Sequence, residues 1–341
     1  NSDVDVTEFV NDSISPWYVA DGYLSNPNEL ALYTTLSFSF ETDYITCLNF
    51  VASNYSTSLS LDRAFSVDGI TKYKNSYIPS GNHKLSLKTD RFKNLQFNSI
   101  SITNLCTDEE IKTWLEKESD IEIIEIQNDS VNPWIIKEQD TLYNPTSGTL
   151  SFTFHSEGAT QLEFTSANNN TYIYVDGKRK DSGTYIPAGT HEITLSGSSE
   201  KIITTFSIKE ISSDADIKAM IEAYSDIEVD ILNDSVAPWI ALGEDTLSHP
   251  FSTTGFMKLA FETEYITQLD YLSVSGTSIY LDSIHQLKKG NYLPAGKHEL
   301  TIKGSSNAVI KGLSIKNVCT DADIKAMIEA YSDIEVDILN D

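Results

Sequence analysis

Residues Asp214 to Asp234 return letter for letter as Asp321 to Asp341, and a looser copy spans Thr107 to Trp134. The Asn-Asp pair inside this stretch marks Asn11, Asn128, Asn233 and Asn340, which are 117, 105 and 107 residues apart. A period near a hundred residues is too long for a solenoid unit and fits a whole small domain, so the chain reads as tandem modules. The expected segmentation is 1–120, 121–227 and 228–341, the last holding the start of a truncated fourth repeat. Because the sequence stops at Asn340-Asp341, before another Ser-x-x-Pro-Trp, it is expected to be a fragment of a longer array. Glu335 to Leu339 should then be poorly ordered or borrow a partner.

Within each repeat, strand signals come first. Repeat 2 alternates Leu150, Phe152, Phe154, then Leu162, Phe164, then Ile173, Val175, then Ile193, Leu195, then Phe206, Ile208 with polar residues. Period two marks sheets with one wet face. Repeat 1 supplies Leu36, Phe38, Phe40, Leu48, Phe50, Leu59, Leu61, Leu85, Leu87 and Phe97, and repeat 3 a matching set from Leu259 to Ile315. Seven or eight short strands per repeat, parted by Gly, Asn, Pro and Ser turns, predict a mainly β chain of antiparallel, jelly-roll-like sandwiches.

Each repeat then ends in one short α-helix, over 107–118, 213–224 and 320–331. Thr107, Ser213 and Thr320 stand as N-caps with an aspartate in the first turn, where amide dipoles favour negative charge. The stripe Ile217, Met220, Ile221, Tyr224 needs a surface to cover, either the open end of its own sandwich or the junction with the next. Linkers as short as Ser225-Asp226 predict a stiff, monomeric rod.

Two motifs recur. Asn-Asp-Ser-x-x-Pro-Trp ends at Trp17, Trp134 and Trp239. An indole beside a rigid proline can be a platform on which a sugar ring stacks, or it can be a core plug behind an Asx turn. A feature kept in every module favours the plug. Tyr-x-Pro-x-Gly-x-His runs Tyr77 to His83, Tyr185 to His191 and Tyr292 to His298. With no second histidine at metal-ligand spacing and no nucleophile motif beside them, these histidines read as hydrogen-bonded structural residues.

The formal charge of −26, from 50 Asp plus Glu against 24 Lys plus Arg, repels phosphate backbones and anionic lipid heads. Nucleic acid is therefore not an expected partner. No run approaches the roughly 20 apolar residues of a spanning helix, so membrane insertion is not expected either. Residue 1 opens in a polar segment rather than a signal peptide. Cys47 and Cys106 share repeat 1, but Cys319 has the position of Cys106 and no mate, which argues against a bridge.

The run Val175-Asp176-Gly177 and then Tyr185-Ile-Pro-Ala-Gly-Thr-His-Glu-Ile-Thr-Leu195 resembles the ending of jelly-roll modules in secreted and surface proteins of Gram-positive, often gut-dwelling, bacteria. These include non-catalytic carbohydrate-binding modules. Only repeat 2 is expected to carry the Asp-Gly, repeats 1 and 3 having Leu61-Asp62-Arg63 and Leu281-Asp282-Ser283. The resemblance implies an extracellular location, secreted or cell-wall-associated, and a role in adhesion or glycan binding. Low cysteine content fits that setting.

No cofactor is expected. Asp140, Asp245 and the Asn-Asp pairs offer hard oxygen ligands for a structural calcium, but no loop has the spaced Asp, Asn and Gly of a dedicated site. Among 50 acids no hydrolytic pair can be picked, and tandem copies of a hundred-residue unit are unusual for a hydrolase, so no enzyme is expected. Lysine–asparagine isopeptide links cannot be assigned. The preferred expectation is a multivalent glycan-binding array for a host or dietary polysaccharide, with a starch-like α-glucan as one instance. Its candidate binding residues are Trp17, Trp134, Trp239, Tyr77, Tyr185, Tyr292, Tyr172 and Tyr174, with Tyr55 and Tyr280 beside them. The alternatives are a ligand-free structural stalk and a protein-binding adhesin.

Overall fold

A computed structural model describes residues 2–26, 33–53, 65–88, 95–138, 140–168 and 170–331. The chain is mainly β, with antiparallel sheets and three short helices. It divides into two compact units: 1–154 with 163–182 and 191–207, and 155–162 with 183–190 and 208–341. Tyr55, Leu59, Leu61 to Arg63 and Glu335 to Leu339 lie outside the described residues.

Repeat 1 shows the pattern. One sheet orders Val6–Val10, Thr35–Thr42, Gly81–Lys88, Phe65–Val67 and Ile70–Lys72; the other orders Tyr18–Ala20, Tyr23–Asn26, Leu95–Cys106, Ile45–Ser53 and Ser76–Ile78. Leu36, Phe40, Phe65 and Leu85 from the first sheet and Leu48, Phe50, Phe97 and Ile102 from the second form one core with Trp17. Two half-wet sheets closing on shared apolar faces make a sandwich. Ten described strands, rather than seven or eight, build the repeat, because hairpins of three residues are too short to show a period.

Repeat 2 has the same two five-strand orders. Repeat 3 differs: Gly296–Lys311 runs as one 16-residue strand in a seven-stranded sheet, joining the counterpart of Gly189–Ser196 to that of the first residues of Lys201–Ser212, whose remainder matches the separate strand Ser314–Thr320. A three-stranded sheet, Tyr292–Leu293, Tyr265–Asp270 and Ser314–Thr320, faces it across the core.

The helices are α1 (Asp108–Glu116), α2 (Asp214–Tyr224) and α3 (Asp321–Ala330). All three have complete capping boxes, with aspartate serving at the third position of α2 and α3 as glutamate does in α1. The direction of packing settles which surface the stripe covers. Ile217 and Ile221 of α2 lie in one core with Trp239, Leu259, Leu300 and Ile315 of the following sandwich. In this packing α2 groups with the strands downstream of it, because its apolar stripe is buried there.

Candidate functional site

The Asn-Asp-Ser-x-x-Pro-Trp loop is a closed hydrogen-bond clamp. In repeat 2, Asn128 Oδ1 accepts from the amides of Asp129 and Trp134, while its Nδ2 donates to the Trp134 carbonyl at 3.0 Å. Asp129 Oδ1 accepts from the amides of Val131 and Asn132 at 2.8 and 2.7 Å. Asn11 with Asp12, and Asn233 with Asp234, repeat these bonds. This geometry seats the following indole inward. Trp17, Trp134 and Trp239 are only 0 to 4 % exposed. The stacking-platform expectation for these three is corrected: a ring with no open face cannot receive a sugar, and each is a core plug.

A second clamp escaped sequence reasoning. Asn26 and Asn144 donate Nδ2 to the carbonyls of Ser15 and Asn132, and His249 Nε2 takes the same place against the Ala237 carbonyl at 3.0 Å. Each accepting residue lies four positions after the motif asparagine. Since the donor changes from Asn to His, no shared letter revealed it.

The recurring histidines are structural, as their surroundings had implied. His83, His191 and His298 place Nδ1 at 2.7, 2.8 and 3.2 Å from Oδ2 of Asp68, Asp176 and Asp282. Oδ1 of each aspartate accepts the amide of Lys84, Glu192 or Glu299. Each aspartate has φ of 49 to 52°, the left-handed turn of a hairpin. The counterpart of Asp176-Gly177 in repeat 1 is thus Asp68-Gly69, not Asp62-Arg63. Residues 54–64 stand ahead of it and displaced the alignment. Burial alone would raise the Asp176 carboxyl, but the bonds from His191 and the Glu192 amide hold it below its ordinary value. The Asp282 carboxyl is likewise lowered, against burial, by the Glu299 amide and His298.

The remaining candidates divide by exposure. Tyr77 and Tyr185 are half-buried, Tyr185 tilted against Phe251 with ring centroids 6.4 Å apart, while Tyr292 is exposed. Tyr172 and Tyr174 alternate with buried Ile173 and Val175 and therefore share the outer face of their sheet, both half-exposed. Arg179, opposite Tyr174 in the next strand, lays its guanidinium 4.3 Å from the Tyr172 ring centre. Glu125, Gln127, Ser151, Thr153 and Glu192 line a shallow groove on that sheet. The signal for these was present, since Ser151 and Thr153 are the polar partners in the alternation of Leu150, Phe152 and Phe154. In repeat 3, Tyr280 has Lys303 5.2 Å over its ring, and in repeat 1 the position of Tyr174 is held by Ser66.

The carboxylates Asp214 and Asp234, on a cleft of the second unit, are already engaged by Asn233 Nδ2 and by the Val236 and Ala237 amides. Asp140 and Asp245 accept the hydroxyls of Thr141 and Thr246. No group of three His, Cys, Asp or Glu is arranged to hold a metal among the described residues. Cys47, Cys106 and Cys319 are unbridged, and burial pushes the Cys106 thiol up to about 11, far from a reactive thiolate.

No family model matches the chain, and no curated protein matches it. Among solved structures, a secreted serine protease from Vibrio cholerae, VesC, aligns over 81% of this chain and 74% of its own at 7% identity and a TM-score of 0.21. An allantoicase aligns over 61% of this chain and 96% of its own at 9% identity and a TM-score of 0.17. Likeness at that level carries no argument about fold or activity.

Proposed function

We propose that the chain is a non-catalytic glycan-binding array whose contact surface is the outer face carrying Tyr172 and Tyr174, with repeat 3 offering a smaller version at Tyr280. The observation that carries this reading is one sheet that bears half-exposed rings with a guanidinium on one strand pair and a groove of an amide, hydroxyls and carboxylates on its neighbouring strands. Pyranose C–H faces pack on aromatic rings while hydroxyls exchange hydrogen bonds with such polar groups. Weak sites on linked modules gain from repetition, which suits a polymer of repeated epitopes. Affinity electrophoresis against a panel of polysaccharides tests it. Retardation by at least one glycan, lost in Tyr172→Ala and Tyr174→Ala at unchanged melting temperature, is the expected result; no retardation by any glycan sinks the reading.

A second reading, a ligand-free stalk, is favoured by a different observation. The tryptophans kept in all three repeats are buried, and Lys72 Nζ ties repeat 1 to the repeat-2 clamp loop by donating to the carbonyls of Tyr77 and Val131 at 2.9 and 2.6 Å. On this reading selection acts on stiffness alone.

A further inference from the structure

Arg179 is the sole arginine among the described residues, in a chain with 50 Asp plus Glu. Exposed lysines find carboxylates: Lys258 lies 2.9 Å from Glu299, Lys289 3.2 Å from Asp270 and Lys316 3.3 Å from Asp226. Arg179 forms no ion pair with a described residue, and none of its N–H donors meets a described acceptor. What holds it is a ring, since its guanidinium lies 4.3 Å from the centre of Tyr172. Resting a cation on a ring leaves its hydrogen-bonding capacity unused, so a fixed fork of N–H groups stays open to a planar, bidentate acceptor such as a carboxylate.

The mount is stiff. Tyr172–Val175 and Lys178–Lys180 join through Asp176-Gly177, whose φ values of 50 and 71° make the tight turn of a two-residue hairpin. Asp176 is bonded in turn to His191 and to the Glu192 amide. Register sets Arg179 opposite Tyr174 and Tyr174 opposite Thr194, so all three share the outer face. The other repeats lack the fork: Gln286 stands opposite Tyr280 in repeat 3, and Thr71 opposite Ser66 in repeat 1. Lys303, over the Tyr280 ring, supplies a point charge only.

The other side of the same sheet has the opposite character. Its groove presents the carboxylates of Glu125 and Glu192, the hydroxyls of Ser151 and Thr153 and the amide of Gln127. Four strand spacings separate Ile123–Asn128 from Lys178–Lys180, about 19 Å, which is room for a short oligosaccharide. Resting on the glycan reading above, we propose that this face takes an acidic oligosaccharide with a single carboxylated sugar, of the sialic or uronic acid kind. The carboxylate sits on the Arg179 fork, and neutral sugars run over Tyr174 toward the groove, where their hydroxyls donate to Glu125 and Glu192. A polymer charged on every sugar does not fit, because those two carboxylates and the net charge of −26 repel every anion except the one at the fork.

Calorimetric titration of the whole chain tests this with sialyllactose, with a glucuronyl-capped neutral trisaccharide, and with the methyl ester of each, which keeps the sugars and removes the charge. At least one acid is expected to bind at one site per chain, about tenfold more tightly than its ester. Which acid binds separates the sialic from the uronic source. Arg179→Gln should bring acid and ester to the same affinity at unchanged melting temperature, because the side chain is exposed on an edge strand. An ester that binds as tightly as its acid, a preference that survives Arg179→Gln, or no binding by either acid would each overturn the proposal. Retardation by a neutral polysaccharide, lost in Tyr172→Ala, would still uphold the wider glycan reading, so the two fail separately.

Discussion

Repeats 2 and 3 fill the same buried spot behind their tryptophans with different chemistry. In repeat 2, Asn144 bonds the Asn132 carbonyl, and Lys201, directly across the sheet from it, is fully buried. Its ammonium donates to the carbonyls of Thr146, Gly197 and Ser199 and lies 5.5 Å from the Trp134 ring centre. Burial pulls the Lys201 pKa down, with the charge of Asp129 acting against it. In repeat 3 the opposed pair is His249 and Ala308. His249 reaches the carbonyls of Ala237 and Ser305 with its two ring nitrogens, at 3.0 and 3.1 Å, and its ring centroid is 5.6 Å from that of Trp239. Carbonyls only accept, so His249 serves this site through its ring N–H. One repeat thus spends two side chains where the other spends one. What the site requires is N–H donors aimed at loop carbonyls, and the residue type is free to change.

The indoles themselves should show the largest effect. Trp134→Ala and Trp239→Ala each remove a buried plug and are expected to cost about 3–5 kcal/mol in chemical denaturation. They should not be equal. Trp134 Nε1 donates to the Gly148 carbonyl at 3.1 Å, whereas Trp239 Nε1 finds no acceptor among the described residues. Replacement by Phe sharpens this: Trp134→Phe should cost about 1 kcal/mol more than Trp239→Phe, and equal costs would remove the distinction.

Lys201→Met comes next, at about 2 kcal/mol, because it keeps the stem but leaves buried carbonyls without a donor. Little or no loss would mean that those carbonyls find water instead. His249→Leu should cost about 1–2 kcal/mol for the same reason, and His249→Asn about half of that, since Asn26 and Asn144 already do the work against their own loops. If Asn proves as damaging as Leu, the equivalence of the three positions fails.

The smallest effect is on acid stability. Asp176 and Asp282 are held below the ordinary carboxylate value, so their contribution is fully present above about pH 4, near the unfolded value, and is lost as pH falls through the folded one. Melting temperatures recorded from pH 7 down to pH 2.5 should fall less steeply in Asp176→Asn with Asp282→Asn than in the parent chain. An identical acid slope would remove the histidine–aspartate bolt from the list of acid-sensitive contacts.

Much of the architecture was legible because periodicity is a local signal. The alternation at Leu150, Phe152 and Phe154 and the helical stripe from Ile217 to Tyr224 each name an element without reference to anything distant. The stripe says that a surface must be covered, but not which one; that answer depends on how the chain turns after Ser225. Pro-Trp favoured a plug but left a platform open, since the inward seating is decided by bonds from Asn128 six residues earlier. Asp68 was hidden by the residues inserted before it, although its partner His83 had been singled out. The outer-face tyrosines were readable from their spacing, but not the arginine stacked on them, because that contact crosses strands.

The unbroken strand Gly296–Lys311 has a consequence for how repeat 3 comes apart. Its early residues pair with Gly255–Thr263 and its late ones with Thr246–His249, while Ser273–Leu281 pairs along both parts. With one backbone threading both regions, neither can open while the other stays zipped, so the amides of Leu300, Ile302 and Ile310 should exchange with solvent deuterium at a common, slow rate. Repeat 3 is in this sense a single latch.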